Sequence, residues 1–259
     1  MEGIALYLVI NLKFVHTRYI AAAGLGLTLF FLFDTMNDAI QLDVNEGFTG
    51  GLPHAAHVLV FIGGFIALAI FDHFAVRRPN NSSTLQMDGR VSNPKSLFLI
   101  PAAVAAVMGV HSLAESWAFG STAFYASNLV TAYGGLLVLT SYPLHKLFEA
   151  SIIAALYTAY VKRSDSAKAW WHLPLLLLLF GVPTMIGVSI GYRLYDSPFD
   201  ITYFYAFGVT SAFYAVLRLV EPISLKFRIG ENAPTYLNWK VFLSILIGFM
   251  LLYTAGLFH

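Results

Sequence analysis

Long apolar runs alternate with short polar stretches along the whole chain. We place hydrophobic segments near residues 3–12, 18–39, 53–75, 96–119, 127–160, 172–193, 199–221 and 237–258. The first is too short to cross a bilayer unaided, whereas the others reach the length of about 20 helical residues that spans ~30 Å of hydrocarbon. Transmembrane barrels instead show shorter segments of alternating polarity. The pattern therefore predicts an all-α polytopic membrane protein with about eight hydrophobic helices.

The composition supports the same fold class. Hydrophobic residues make up 58% of the chain and charged residues 11%, against about 25% charged in soluble domains. The absence of cysteine excludes disulfides and thiolate ligands, so any bound metal must use nitrogen or oxygen. The net charge of +1 gives no sign of nucleic-acid binding, and we expect no nucleic-acid partner. We expect one transmembrane domain over residues 1–259.

The polar stretch at 76–96, between the third and fourth segments, predicts a cytoplasmic loop. If this loop is cytoplasmic and the segments alternate, thirteen Lys and Arg residues lie on the cytoplasmic side and Arg193 alone lies outside. Positive charges concentrate on the cytoplasmic side of membrane proteins. This orientation puts both termini outside, and we expect the protein in the plasma membrane.

An internal repeat relates the front and back of the chain. GLGLTLFFLFDTMNDAI from Gly24 and AFGVTSAFYAVLRLVEPI from Ala206 both carry Gly-x-Thr, an aromatic run and an acid. The segments that follow share Ile-Gly cores at Ile62 and Ile247. With the predicted topology the two copies run in opposite directions, which is typical of secondary transporters. Small residues spaced along packed apolar helices are the alternative interpretation.

Two ionisable pairs at helical spacing lie inside the fourth and fifth segments. His111 precedes Glu115 by four residues, and His145 precedes Glu149 by four, so each pair shares one face of its helix. A charge at the centre of a bilayer costs roughly 2.5–3.5 kcal/mol, and two facing helices lower that cost by sharing a cation. Two imidazoles and two carboxylates suit zinc, and iron or manganese nearly as well. Metal-free hydrogen bonding between the helices is the alternative.

These residues resemble the ZIP (Zrt/Irt-like) divalent metal transporters. HSLAES at 111–116 resembles their fourth-helix His-Asn-x-Pro-Glu-Gly motif, HKLFEA at 145–150 the fifth-helix motif, and GVPTMIGVSIGY at 181–192 the sixth helix. The resemblance implies a 3+2+3 arrangement of helices with inverted repeats, and a homodimer. The chain departs from the motif where the family has Asn, Pro and Gly, at Ser112, Ala114, Ser116 and Ala150.

Lys146 is the departure with the largest consequence for the chemistry. Family members with a second, bridged metal often carry an acid at this position. The resemblance therefore implies a mononuclear site, in which Lys146 is a fixed cation in place of a second metal. Ser112 would add a weak hydroxyl ligand. A plain ion pair between Lys146 and Glu149 or Glu115 remains the alternative.

Polar residues at the segment ends outline a cation path. We assign an entrance on the outer side to Asp34, Asp38, His54 and His57, and an exit on the cytoplasmic side to Asp72, His73 and Glu221. Acids concentrate cations near a pore mouth. Capping and solvation of helix ends is the alternative interpretation for both groups.

The expected function is secondary transport of a divalent transition-metal ion toward the cytoplasm, with zinc favoured over iron or manganese. The metal is substrate, and no organic cofactor is implied. No Walker-type loop is present, so ATP is not implied. Four protein ligands leave little room for the open position of a catalytic metal, so we do not expect an enzyme. An intramembrane metal-dependent hydrolase and a metal-free structural membrane protein are the alternatives.

Overall fold

The computed structural model describes residues 2–11, 16–45, 52–76, 94–125, 128–132, 135–161, 171–193, 202–224 and 239–256. Regular structure within these ranges is entirely helical, which confirms the all-α prediction. The helices are α1 (Glu2–Asn11), α2 (Thr17–Asn45), α3 (Leu52–Phe71) continued by a π-helical turn (Asp72–Val76), α4 (Pro94–Tyr125), α5 (Leu129–Ala132), α6 (Leu136–Tyr160), α7 (His172–Arg193), α8 (Thr202–Ser224) and α9 (Trp239–Gly256).

Several helices have the length and composition of membrane spans. Four stretches are long and apolar enough to cross a bilayer: Thr17–Asn37, Leu97–Phe124, His172–Arg193 and Tyr203–Glu221. Val58–Phe74 and Trp239–Thr254 are shorter apolar helices. Large apolar side chains also face outward, with Leu59 67% and Met185 72% exposed. Such a surface fits a hydrocarbon environment, and the chain is a helical membrane protein.

The predicted fifth segment, 127–160, is wrong as a single helix. α5 ends at Ala132 and α6 begins at Leu136, with Gly135 between them at φ 131° and ψ 169°. A side chain is strained at this backbone conformation, which glycine adopts readily, so the chain breaks here. The other predicted segments match helices, although α2 and α4 extend past their predicted ends at 39 and 119. Most of the predicted loop at 76–96 lies outside the described residues.

The two helices that carry the His-Glu pairs, α4 and α6, pack against each other. α7 packs on α4, and α1 packs on α6. α2 and α8 pack on each other. α2 also packs on α6 and α9, and α8 also packs on α3, α4 and α6. The contact between α4 and α7 is close because Gly187 and Gly191 lie directly against the backbone carbonyls of Leu113 and Trp117. The bundle therefore surrounds α4 and α6 with other helices.

Candidate metal centre

The four predicted metal ligands lie in one cluster between α4 and α6, although only three of them, His111, Glu115 and Glu149, have ligand atoms that all lie within 4.8 Å of one another. On α4, His111 Nε2 lies 3.3 Å from Glu115 Oε1. On α6, His145 Nε2 lies 3.0 Å from Glu149 Oε1. The two helices meet where His145 Nε2 lies 4.0 Å from Glu115 Oε1. Each pair occupies one helical face, as the four-residue spacing predicts, and the two faces are turned toward each other.

The cluster is shielded from solvent and compact enough to surround one ion. The Glu149 side chain is 0% exposed, that of His111 1%, and that of Glu115 10%. One ligand atom from each of these three residues lies within 4.8 Å of the other two. Zinc bonds to nitrogen and oxygen are about 2.0–2.2 Å long, so a modest inward movement would let all three bind one ion. Within the described ranges, no other group of three or more such residues is close enough to do so.

The imidazole of His111 is buried without a hydrogen bond on either ring nitrogen. Its contact with Glu115 does not have hydrogen-bond geometry. The ring is held edge-on between Phe31 and Tyr205, with centroids 5.4 Å and 5.1 Å away. A Cβ built on Gly208 would lie 2.6 Å from His111 Nδ1, so α8 also lies against the ring. Leaving a buried polar group unsatisfied costs about 1–3 kcal/mol, and metal ligation would remove that cost.

The ammonium of Lys146 lies between the two carboxylates. Its Nζ donates to Glu149 Oε2 at 2.8 Å and Oε1 at 3.1 Å, and it also pairs with Glu115. Ser112 Oγ accepts from Lys146 at 3.1 Å and donates to Glu149 Oε2 at 3.1 Å. The residues predicted to modulate the site therefore contact its carboxylates directly. Two carboxylates and one ammonium give this group a net charge of −1.

Tyr142 and Ser116 cover the cluster on the side of the α4 C-terminus. Their hydroxyl oxygens lie 2.7 Å apart in a hydrogen bond. The Tyr142 ring stacks on Phe119 with centroids 4.4 Å apart, and its centroid lies 5.7 Å from Lys146 Nζ. Sequence reasoning did not assign Tyr142 to the site, although it precedes Lys146 by one helical turn. This four-residue spacing could have placed Tyr142 on the same face of α6 as Lys146.

A cavity of about 650 Å³ opens beside Lys146, between α1, α6 and α7. Tyr142 and Thr184 supply hydroxyl groups to its wall, and the rest of the lining is mostly apolar. The buried Lys146 side chain therefore forms part of the wall between the ionic cluster and this cavity.

The predicted entrance residues fall mostly outside the described side chains. Asp34 is half-buried on α2. Asp38 lies in α2, and His54 and His57 lie in α3, but their side chains are not among those described. The entrance therefore stays a prediction.

The structure brings two of the predicted exit residues together through a third residue, Arg218. Arg218 pairs with Asp72, and its Nη1 lies 2.8 Å from Glu221 Oε2. His73 is exposed and its ring packs edge-on against Phe74, with centroids 5.1 Å apart. Sequence reasoning counted Arg218 only as a cytoplasmic charge, although its three-residue spacing from Glu221 signals a local pair.

Comparison of this chain with known families, proteins and structures identifies no relative. No protein-family model, no curated protein and no solved structure matches this chain. Fold and site together define a helical membrane protein with a buried His/Glu cluster at the contact of two central helices. The likeness to ZIP transporters stays a prediction that depends on the motifs at 111–116, 145–150 and 181–192.

Proposed function

We propose that this chain is a secondary transporter of divalent transition-metal ions, zinc above iron or manganese, of the ZIP type. The ion is the substrate and binds between α4 and α6 through His111, Glu115, His145 and Glu149. The observation that carries the proposal is the buried His111 imidazole without a hydrogen bond, next to two buried carboxylates. The charge bias of the loops gives the proposed orientation, with both termini outside. The proposed direction, import across the plasma membrane toward the cytoplasm, comes from the resemblance to ZIP transporters.

The donor set and its charge support a transported ion over a permanently bound one. Two nitrogens and two carboxylates suit zinc, and the chain offers no thiolate. Because Lys146 already neutralises one carboxylate charge, a divalent ion meets a net charge of −1 and is not fully neutralised. Conduction requires binding that is favourable enough for entry and weak enough for exit. Lys146 thus favours a single ion bound reversibly.

Packing within the bundle supports the 3+2+3 arrangement with inverted repeats. An inverted repeat would relate α1, α2 and α3 to α7, α8 and α9, and α4 to α6. Under this relation the contact between α4 and α7 corresponds to that between α6 and α1, α2/α9 corresponds to α8/α3, and α4/α8 corresponds to α6/α2. Both contacts are present in each of these three correspondences. Phe30 packs edge-on against Phe249 across α2/α9, and Phe213 against Phe65 across α8/α3, each with centroids 5.4 Å apart. A site between inverted repeats is the usual construction of secondary transporters.

A metal-free structural role is the second candidate, and the contacts of Lys146 favour it. The ammonium already binds both carboxylates, so the cluster is partly compensated without a metal. Polar groups of this kind also hold membrane helices together. The two candidates differ in whether the purified protein binds metal through His111.

The test compares wild type with a His111→Ala variant and a matched His16→Ala control, because His16 is exposed and distant from the cluster. Elemental analysis should find a stoichiometric transition metal in wild type and in the control, and none in the His111 variant. Vesicles that contain a zinc-sensitive dye should then report uptake by wild type and control only. Absence of metal from all three proteins, or equal metal in all three, would contradict the proposal and favour the structural role.

A further inference from the structure

A second ionic cluster, buried at Arg218 and Asp72 and partly exposed at Glu221, joins α3, α6 and α8, and we call it the Arg218 cluster. Arg218 pairs with Asp72 in the π-helical turn and with Glu221 on its own helix. The Tyr214 hydroxyl donates to Asp72 Oδ1 at 2.8 Å. The Tyr160 hydroxyl of α6 has one proton to donate, and its oxygen lies 2.6 Å from the Arg218 carbonyl and 3.0 Å from Glu221 Oε2. These five residues therefore tie α8 to both α3 and α6.

Burying the charges of this cluster costs more free energy than apolar contacts between the same helices would. The side chains of Arg218 and Asp72 are only 9% and 12% exposed. Buried ion pairs are weak contributors to net stability, and apolar residues of similar volume often replace them without loss. Asp72 also lies in a π-helical turn, a distortion that is frequent at functional sites. Ion pairs between helices are suited to a contact that is made in one conformation and broken in another.

The candidate metal centre, formed by His111, Glu115, His145 and Glu149, and the Arg218 cluster lie at different heights along the same helices. Gly208 of α8 lies against His111, and Arg218 follows ten residues later. At 1.5 Å per helical residue this separation is about 15 Å along α8. Tyr160 follows Glu149 by eleven residues, which is about 16 Å along α6. Both helices thus run from the metal centre to the cluster.

The interior between these two levels is filled. Ile153 and Leu156 of α6 and Ala215 of α8 are 0% exposed, and Ala212 of α8 is 1% exposed. An ion leaving the metal centre in this direction would need α8 to separate from its neighbours. The contacts that oppose such a separation at the far end are those of the Arg218 cluster.

We propose that the Arg218 cluster is the latch of a gate at the end of the bundle where the π-helical turn after α3 ends and α4 begins. While Arg218 holds Asp72 and Glu221, α3 and α6 stay closed against α8. When these ion pairs break, the interior below the metal centre opens and the bound ion can leave on that side. This inference rests on the proposed transport function only for the identity of the ion that leaves. The separation of α8 from α3 and α6 does not depend on that proposal.

The cysteine-free sequence allows a direct test of this opening. Ala215→Cys places the only thiol at a fully buried position, three residues before Arg218 on the side of the metal centre. The full chain, reconstituted in vesicles, is treated from each side with a membrane-impermeant thiol reagent. With the latch intact, we expect the thiol to be protected. Adding Arg218→Gln together with Asp72→Asn removes both charges of the more buried pair, and the carboxylate that loses its cation is that of Glu221, whose side chain is 43% exposed.

In that latch variant we expect labelling to be faster by about tenfold or more from the side on which α3 ends and α4 begins, because a minor open state becomes the major one. Tyr160→Phe removes the hydroxyl that contacts Arg218 and Glu221 without a change of charge, and should give a smaller increase. The Tyr160→Phe variant also tests the latch if the variant that lacks both charges does not fold. Arg193→Gln removes an exposed guanidinium at the end of α7 and should leave the labelling rate unchanged.

Two results would overturn the latch. One is a folded latch variant, or a folded Tyr160→Phe variant, whose thiol stays as protected as in the intact background. The other is an intact background that already reacts as fast as the variants. Metal content of the same samples separates the two proposals. Faster labelling with no bound metal in any sample refutes metal transport and keeps the latch, whereas bound metal with unchanged labelling refutes the latch alone.

Discussion

Replacement of Lys146 by glutamine distinguishes a metal centre from a structural ion pair. In the structure the ammonium is bound by Glu115, Glu149 and Ser112. Glutamine removes the positive charge and leaves two buried carboxylates without their cation. If the cluster is a metal centre, a divalent ion can take over the role of the ammonium. If the cluster is only a structural contact, no ion in solution will do so.

The expected changes in stability are large enough to measure. Loss of one partner from a buried ion pair costs about 3–5 kcal/mol, which at about 2–4 °C per kcal/mol lowers the melting temperature by about 6–20 °C. A metal at 100 times its Kd adds about 2.7 kcal/mol, or about 5–11 °C. In wild type we expect a smaller increase with metal, because the ion has to compete with Lys146 for Glu115 and Glu149.

Thermal unfolding of the purified protein, followed by tryptophan fluorescence in chelator and in zinc, checks both changes. Lys240→Gln is the matched control, since Lys240 is exposed on α9 and lies 5.9 Å from the Trp239 ring centroid. The control should melt as wild type does in both conditions. If Lys146→Gln melts lower and neither zinc, iron nor manganese restores any of the loss, the pairing is structural and the metal proposal is refuted.

Two further predictions concern ligand geometry and proton competition. In Gly208→Ala the new Cβ would lie 2.6 Å from His111 Nδ1, and overpacking of about 1–3 kcal/mol should displace the ring and weaken zinc binding in equilibrium dialysis. Gly63→Ala, where a Cβ meets nothing within 4 Å, should bind zinc as wild type does. Protons compete with metal for imidazole and carboxylate, so the zinc affinity should fall between about pH 7.5 and pH 5.5. Equal affinity at both pH values would show that these groups are not ligands.

The helices could be predicted from the sequence because each apolar run is long and ends in polar residues. The segment predicted at 172–193 coincides with α7, His172–Arg193. The break before α6 was not predictable in this way, because apolar residues lie on both sides of it. It depends on the backbone conformation of a single residue, Gly135, and a pattern read over many residues does not detect such a feature.

Within one helix, the sequence also predicts which site residues share a face. The spacing of His111 from Glu115 fixes their proximity, whatever surrounds the helix. The reach of Lys146 to carboxylates on both helices depends on how α6 is rotated and positioned against α4, and a single sequence does not contain that information. The pairing of Arg218 with Asp72 joins residues 146 positions apart, so it too had to come from the structure.

The candidate metal centre and the Arg218 cluster have the same charge composition, two carboxylates and one fixed cation: Glu115, Glu149 and Lys146 in the first, and Asp72, Glu221 and Arg218 in the second. In each cluster these groups have a net charge of −1, which would attract a passing cation under the proposed transport function. When such a cation left, the carboxylates would return to a partner that belongs to the chain. Unpaired charge inside a membrane is thereby avoided in the empty state, where it would be most costly. A resident cation thus lowers the barrier to release, and its removal from the metal centre should convert reversible binding into tighter retention.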